Sequence, residues 1–347
     1  MSEPIQKEVP LCPFFGQCGG CQYQDIPYEE ELRLKGAAFK EALAAKVDCA
    51  SWDIKPVVAS PKVYHYRNRL DLKLVRTRKG TIHIGYSPAA KGQILEIERC
   101  PIGMEKIADY VATLRADASA NLPEKYRMAN LTLRCGDGDK VFWGGIGRKS
   151  NHLSSENYFY FEFQGKKIHY SLDTFFQANL SILPLLAEQM RALPIWSKDV
   201  VVFDLYGGVG LLGLMVHDLV KGVINIEENT HAVSVADHNV KANGIANVAT
   251  LEGRVENVLP GLLDQMDSAE NIIIVDPPRA GLTDKAIANI IGLSKVRHLL
   301  YLSCNPETLA ANLSGLMAGG WSLSFVQPFD FFPRTRHLEA LVLLSRP

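Results

Sequence analysis

The sequence predicts an α/β chain. A Rossmann-like domain with an open, largely parallel sheet is expected over 172–347, behind a smaller β-rich region over 1–171 that carries a cysteine-bearing loop. Three observations predict this. Apolar strands alternate with helical segments after residue 173, the pattern of a parallel sheet covered on both faces. A glycine turn, YGGVG at 206–210, follows the first of those strands. Residues 64–100 instead alternate with a period of two, as half-buried strands do.

The elements follow in order. Residues 27–47 read as a helix with Tyr28, Leu32, Ala38, Phe39, Leu43 and Val47 offering an apolar face, one that could pack on the catalytic domain. HYRNRLDLKLVRT, TIHIGY and ILEIER read as strands, with Gly80 at a hairpin turn, and more strands are expected near 130–135, 140–147 and 158–172. DTFFQANLSILPLLAEQMRAL reads as a helix capped by Asp173 or Thr174. VVFDL and VINIEE are strands, THAVSVADHNVKANG a helix closed by Gly244, and VATLEG, NIIIVDPP, HLLYLSCNP and ALVLLSRP further strands.

Bulk properties narrow the function. A length of 347 residues suits two domains, and 47% hydrophobic content supports a sizeable core. No apolar run reaches the length of a membrane span, and MSEPIQKEVPLCPFFG lacks the charged-then-apolar pattern of a signal peptide. A cytoplasmic monomer is expected. The net charge of -1 argues against a generally basic coat. Locally, however, residues 62–99 hold nine Lys/Arg (62, 67, 69, 73, 76, 78, 79, 91, 99) against Asp71, Glu96 and Glu98, an excess of six. That stretch suits either a solvated strand face or a polyanion-binding face.

The C-terminal half offers a cofactor pocket. Glycines 207, 208 and 210 let backbone approach a ligand, and Glu227 ends the next strand, where an acid can accept both hydroxyls of a ribose. Asp276 ends a third strand before two prolines. Ligands of open α/β sheets sit outside such strand ends. The turn is not GxGxxG, which counts against NAD, and an S-adenosylmethionine (SAM)-like ligand fits better.

Two residues suggest chemistry. Cys304 lies just past a strand end, in a loop that opens a helix. Free cysteines are most often core residues, but a helix N-terminus stabilises a thiolate, so core and nucleophile both stand. Glu339 precedes an apolar strand, close to His337. It is either a surface acid or, if desolvated, a general base. Methylation of uracil C5 needs this pair: a thiolate adds to C6, C5 takes the methyl, and a base removes the C5 proton so that the thiolate can leave.

The remaining cysteines include a cluster. Cys12-x5-Cys18-x2-Cys21 has glycines at 16, 19 and 20, and Cys100 could complete a set of four. Four thiolates suit zinc or a [4Fe–4S] cluster; only one pair has the C-x2-C spacing of zinc ribbons, which favours iron–sulfur. Cys49 and Cys135 read as ordinary half-buried residues.

Taken together, CPFFGQCGGCQYQ, ERCPI, TFFQAN, DLYGGVG, DPPRAG, LSCNPETL and FDFFPRTRHLEAL resemble, in order, the RNA 5-methyluridine methyltransferases. This group includes bacterial 23S rRNA uracil-C5 enzymes and the tRNA uracil-54 enzyme, and the likeness runs from about residue 12 to the end. It implies Cys304 as nucleophile and Glu339 as base. Gln177, Tyr206, Glu227 and Asp276 would contact SAM. Cys12, Cys18, Cys21 and Cys100 would hold a structural [4Fe–4S] cluster. The target base would be flipped out of its RNA. The cluster motivates 23S rRNA over tRNA uracil 54 as substrate.

The chain departs from the family in two ways. Many members begin with a small RNA-binding β-barrel (TRAM) domain, whereas eleven residues precede Cys12 here, so RNA would be held by the 62–99 stretch. Gly207 and Leu211 also stand where relatives often have Cys and Asn. Two rival readings stand beside this one. An exocyclic-amine methyltransferase would need an aromatic after DPP, where Arg279 stands. A non-catalytic iron–sulfur RNA-binding protein would not need Cys304 and Glu339.

Overall fold

The computed structural model describes residues 6–87, 94–146, 158–262 and 271–347. Helix α1 (Tyr28–Ala44) comes first, followed by strands β1 (Arg69–Arg76), β2 (Ile82–Tyr86) and β3 (Leu95–Glu96). Helix α2 (Glu105–Asn121) and strands β4 (Met128–Cys135) and β5 (Val141–Ile146) complete a five-stranded sheet of order β3-β2-β1-β4-β5. Its strands pair antiparallel, so one face can remain open to solvent. Leu70, Leu72 and Leu74 pack with Ile107, Val111 and Leu114 of α2 on the covered face. Helix α2 is absent from the sequence reading, although its apolar residues recur every three to four positions.

A hairpin, β6 (Phe159–Phe163) and β7 (Lys166–Tyr170), follows. It lies before residue 171, yet Phe159, Phe161, Ile168 and Tyr170 belong to the core on one face of the large sheet.

The helix expected from residue 173 begins later. A 3-10 turn at Leu180–Ile182 leads into α3 (Leu183–Ala192), and Asn179 is the cap, accepting from the Ser181 N–H at 3.1 Å. Neither Asp173 nor Thr174 caps it. Pro184 is the reason: without an N–H it is tolerated only in a helix's first turn, so α3 cannot extend further back. Residues 175–177 are thereby left non-helical, free to line a site.

The rest of the chain builds the large sheet. It runs β8 (Val201–Leu205), α4 (Leu211–Val216), β9 (Gly222–Glu227), α5 (Thr230–Ala242), β10 (Val248–Glu252), α6 (Val255–Leu262) and β11 (Asn271–Val275). It continues through α7 (Asp284–Gly292), β12 (Val296–Ser303), α8 (Pro306–Ala318), β13 (Ser322–Phe329) and β14 (Glu339–Ser345). The order is β10-β9-β8-β11-β12-β14-β13. The first five strands are parallel, while β14 pairs antiparallel with both β12 and β13. Strand β13 escaped the sequence reading because Pro328 argues against a strand, but a sheet edge tolerates proline.

Helices α3, α4 and α5 cover one face, and α6, α7 and α8 the other. Helix α1 joins the second layer through Phe39 and Leu43, packing against α8. Its inward line is Glu31, Lys35, Phe39 and Leu43: Phe39 and Leu43 face inward as expected, whereas Leu32 is only half-buried and Ala38 is exposed. No helix among the described residues is long and apolar enough to cross a membrane.

Candidate active site

The sheet's carboxyl edge gathers the expected cofactor residues. Asp204, on β8, is fully buried; its Oδ2 accepts the Gly213 N–H at 2.8 Å, while its Oδ1 has no partner. Tyr206 follows in left-handed backbone (φ 58), an uncommon conformation for a residue with a Cβ, and its hydroxyl donates to Glu256 at 3.3 Å. Glu227, at the end of β9, accepts the N–H groups of Gly208 (3.0 Å) and Asn229 (2.8 Å). Gln177 donates from Nε2 to Asp276 Oδ2 at 3.2 Å. Gln177, Asp204, Tyr206, Gly207, Gly208 and Asp276 line one narrow cleft of about 20 Å³.

Two features of this cleft explain residues that the sequence reading left open or missed. A Cβ on Gly207 would sit 1.8 Å from Asn225 Oδ1, so only glycine fits there. Asn225 itself, buried within β9, went unnoticed although it is a polar residue in an apolar strand. Leu211 is buried in the cleft wall and presents no polar group. Phe175 stands 67% exposed at the mouth, an aromatic face turned to solvent.

Cys304 and Glu339 meet by register. Ser303 pairs with Ala340 across the antiparallel β12–β14 ladder, so the next residue on each chain places Cys304 and Glu339 across from each other. Cys304 opens the turn into α8, whose cap is Asn305 and whose first residue is Pro306. Burial pushes its thiol up to about 11, with Glu339 and Asp276 adding to the rise and the Arg279 guanidinium opposing it. Glu339 is buried with Oε2 unpartnered, and burial, then the nearby Asp276, hold its carboxyl far above the usual range. Burial, reinforced by Asp204, pushes Asp276 up to about 7. The site thus holds a thiol and carboxylic acids that keep their protons to unusually high pH, beside a narrow cleft at the sheet's carboxyl edge.

A second locus lies in the N-terminal region. Cys12, Cys18, Cys21 and Cys100 line one cavity of about 270 Å³, with Arg67 and Arg99 also on its wall. Gly16 and Gly19 take left-handed backbone (φ 80 and 75), which lets the loop curl around it. Burial raises the thiols of Cys12, Cys18 and Cys21, the last to about 12, and each feels Cys100 as a like charge. The donor chemistry therefore fits a group that binds four thiolates and offsets their charge. Among the described residues, no three His, Cys, Asp or Glu side chains close around a single metal-ion position.

The basic stretch is not one face. Arg67 turns to the cysteine cavity, Arg76 is buried toward α2 and donates to Leu122 O at 3.1 Å, and Arg99 pairs with Asp109. Arg69 and Lys73 share a face of β1 with Asp71, which pairs with Arg69 at 2.9 Å. Strand alternation explains Arg76, an even position of β1 that points to the side opposite Arg69, Asp71 and Lys73. Lys91 lies outside the described residues.

Comparisons with known proteins agree with this geometry. A family profile described as tRNA (uracil-5-)-methyltransferase matches residues 158–347. An uncharacterized RNA methyltransferase of Protochlamydia amoebophila is 30% identical, covering 97% of this chain and 91% of the relative. One of Clostridium tetani is 31% identical, covering 96% and 83%. Among solved structures, the Pyrococcus abyssi tRNA (uracil-54, C5)-methyltransferase, in complex with S-adenosyl-L-homocysteine, superposes with a TM-score of 0.74 at 21% identity. That alignment covers 94% of this chain and 86% of the other, so the fold is that of a SAM-dependent methyltransferase. With the family profile spanning the whole cleft and both facing strand ends, the chain belongs to the tRNA (uracil-5-)-methyltransferase family.

Proposed function

We propose that the protein methylates carbon 5 of a uracil in RNA, with SAM as methyl donor, Cys304 as nucleophile and Glu339 as general base. The observation that carries this reading is the placement of Cys304 and Glu339 at facing strand ends, beside the cleft that holds Asp276. The cleft's glycines and the Glu227 carboxylate suit a nucleoside, and Gln177, Tyr206 and Asp276 provide polar contacts. SAM supplies an electrophilic methyl group. In the reactive form both groups have lost their protons: the Cys304 thiolate forms a bond to C6, the C5–C6 electron pair moves to C5, and C5 takes the methyl as S-adenosyl-L-homocysteine leaves. Glu339 then accepts the C5 proton, the C5–C6 double bond re-forms, and the thiolate is expelled.

Purified enzyme with unmodified RNA and labelled SAM tests this directly. Cys304→Ala should abolish turnover, and Glu339→Gln should trap a covalent RNA adduct because proton removal fails. Normal turnover by Cys304→Ala would overturn the mechanism. For the RNA itself, 23S rRNA is proposed on the four-cysteine set. The fold shared with the Pyrococcus tRNA enzyme favours tRNA uracil 54 as the second reading. Label found in tRNA alone would reject the first.

The four cysteines are proposed to hold a [4Fe–4S] cluster. Four thiols around one cavity support it. Iron and acid-labile sulfide in equal amounts, near four each per chain, are expected. One zinc per chain would reject the proposal.

A further inference from the structure

The loop from Asp330 to Leu338 joins β13 to β14 and ends on Glu339. Four charged side chains are buried beside it: Glu31 and Lys35 from α1, and Asp330 and Arg334 from the loop. Lys35 Nζ lies 2.7 Å from both Glu31 Oε1 and Asp330 Oδ1, and donates to the Phe332 carbonyl at 3.1 Å. Tyr28 donates to the other Asp330 oxygen at 2.9 Å.

Arg334 is held at its backbone N–H, its carbonyl and one guanidinium nitrogen, while its buried Nε has no partner. Its N–H donates to Glu31 Oε1 at 2.7 Å, and its carbonyl accepts from the N–H groups of Gln22 (2.8 Å) and Tyr23 (3.2 Å). Its guanidinium donates to the carbonyls of Tyr23 (3.1 Å) and Ile26 (2.8 Å) and lies 3.6 Å from Glu31 Oε2. Its backbone is left-handed (φ 67), a conformation that persists only where the surroundings impose it.

Stability alone does not account for this arrangement. Apolar residues of similar volume usually serve a core as well as buried ion pairs do, whereas paired charges fix geometry. The strand ladder fixes the Glu339 backbone, but its buried Oε2 has no hydrogen-bond partner to aim the side chain, so its aim depends on how the loop before it is held.

We propose that Glu31 and Arg334 are positioning residues: the ion lattice between α1 and the loop fixes where Glu339 stands relative to uracil C5. The inference rests on the assignment of Glu339 as base. It predicts a defect confined to proton removal, the last chemical step. In Glu31→Gln and Arg334→Lys, kcat should fall roughly ten- to hundredfold, the scale of an ångström-sized misplacement. KM for SAM should stay within about twofold, because the cofactor cleft is built elsewhere.

The reading is a quench time course with RNA and labelled SAM, resolving methylated covalent adduct on a denaturing gel, run beside Glu339→Gln. Adduct accumulating in either variant that remains folded at the assay temperature supports the proposal. Arg334→Lys keeps the charge and serves if Glu31→Gln unfolds. A kcat loss without adduct, or parental kcat in folded variants, overturns the proposal while adduct in Glu339→Gln leaves the base assignment standing. Absence of adduct in Glu339→Gln itself overturns both.

Discussion

The reactivity of Cys304 can be worked through from its surroundings. Burial, then Glu339 and Asp276, push its thiol up to about 11 against 9.0 for an ordinary thiol. That difference of about 2 pH units lowers the thiolate fraction about a hundredfold at pH 8. A less acidic thiol gives a more nucleophilic thiolate, with a Brønsted slope of about 0.4–0.5, which recovers about tenfold. Iodoacetamide should therefore alkylate Cys304 about tenfold more slowly than free cysteine at pH 8, before any steric loss. Glu339→Gln removes one of the two opposing charges. Across pH 7 to 10 its Cys304 should be alkylated faster than the parent's wherever Glu339 is ionised in the parent, and nowhere more slowly. Pulse labelling across that range, with mass spectrometry of the Cys304 peptide, measures both. A parent thiol that titrates near 9, or a variant slower than the parent toward pH 10, would refute the electrostatic coupling.

Three further outcomes follow from the same geometry. Burial, and then Glu227, push Asp204 up to about 7 from 3.8, so the folded chain keeps a proton that the unfolded chain has lost between those values. Its stabilising contribution is complete below about pH 4 and fades as pH rises to about 7, at about 1.4 kcal/mol per unit. Urea unfolding at pH 5 and 7 should show Asp204→Asn gaining on the parent by about 1–3 kcal/mol over that interval, and a constant gap would count against it. Gly207→Ala drives a methyl into Asn225 and should weaken SAM binding about tenfold or more by calorimetry; unchanged affinity would show that the turn yields freely. Phe39→Ala, in the layer shared with α8, should cost about 3–5 kcal/mol in equilibrium unfolding, and a loss under about 1 kcal/mol would mean that α1 is an appendage.

Much of the catalytic half was legible because its signals are local. The strands that carry Asp204, Glu227, Asp276 and Cys304 are short apolar runs bounded by turn residues, and each ends where its polar residue stands. What stayed hidden depends on distant partners. The inward line of α1 contains Glu31 and Lys35, which read as solvent residues until Asp330 and Arg334, some three hundred positions later, neutralise them. Asn225 has meaning only beside Gly207, and β13 was masked by a proline that an edge strand accepts. The basic stretch divides for a related reason: a count of charges along the chain ignores which side of a strand each one takes, and Arg76 turns inward.

The reversed strand β14 has a consequence for how the chemistry is divided along the chain. Every parallel strand delivers the end of a run to the active edge, so each of those residues is followed by a loop and a helix. Glu339 arrives instead at the start of its run, carried in by a loop that the parallel strands do not constrain. On the proposed assignment, donor binding and nucleophilic attack thus belong to one construction and proton abstraction to another. Changes in the length or anchoring of that loop can retune or silence the final step while the cofactor cleft stays whole, so a relative could keep its donor and lose its turnover through a change far from either.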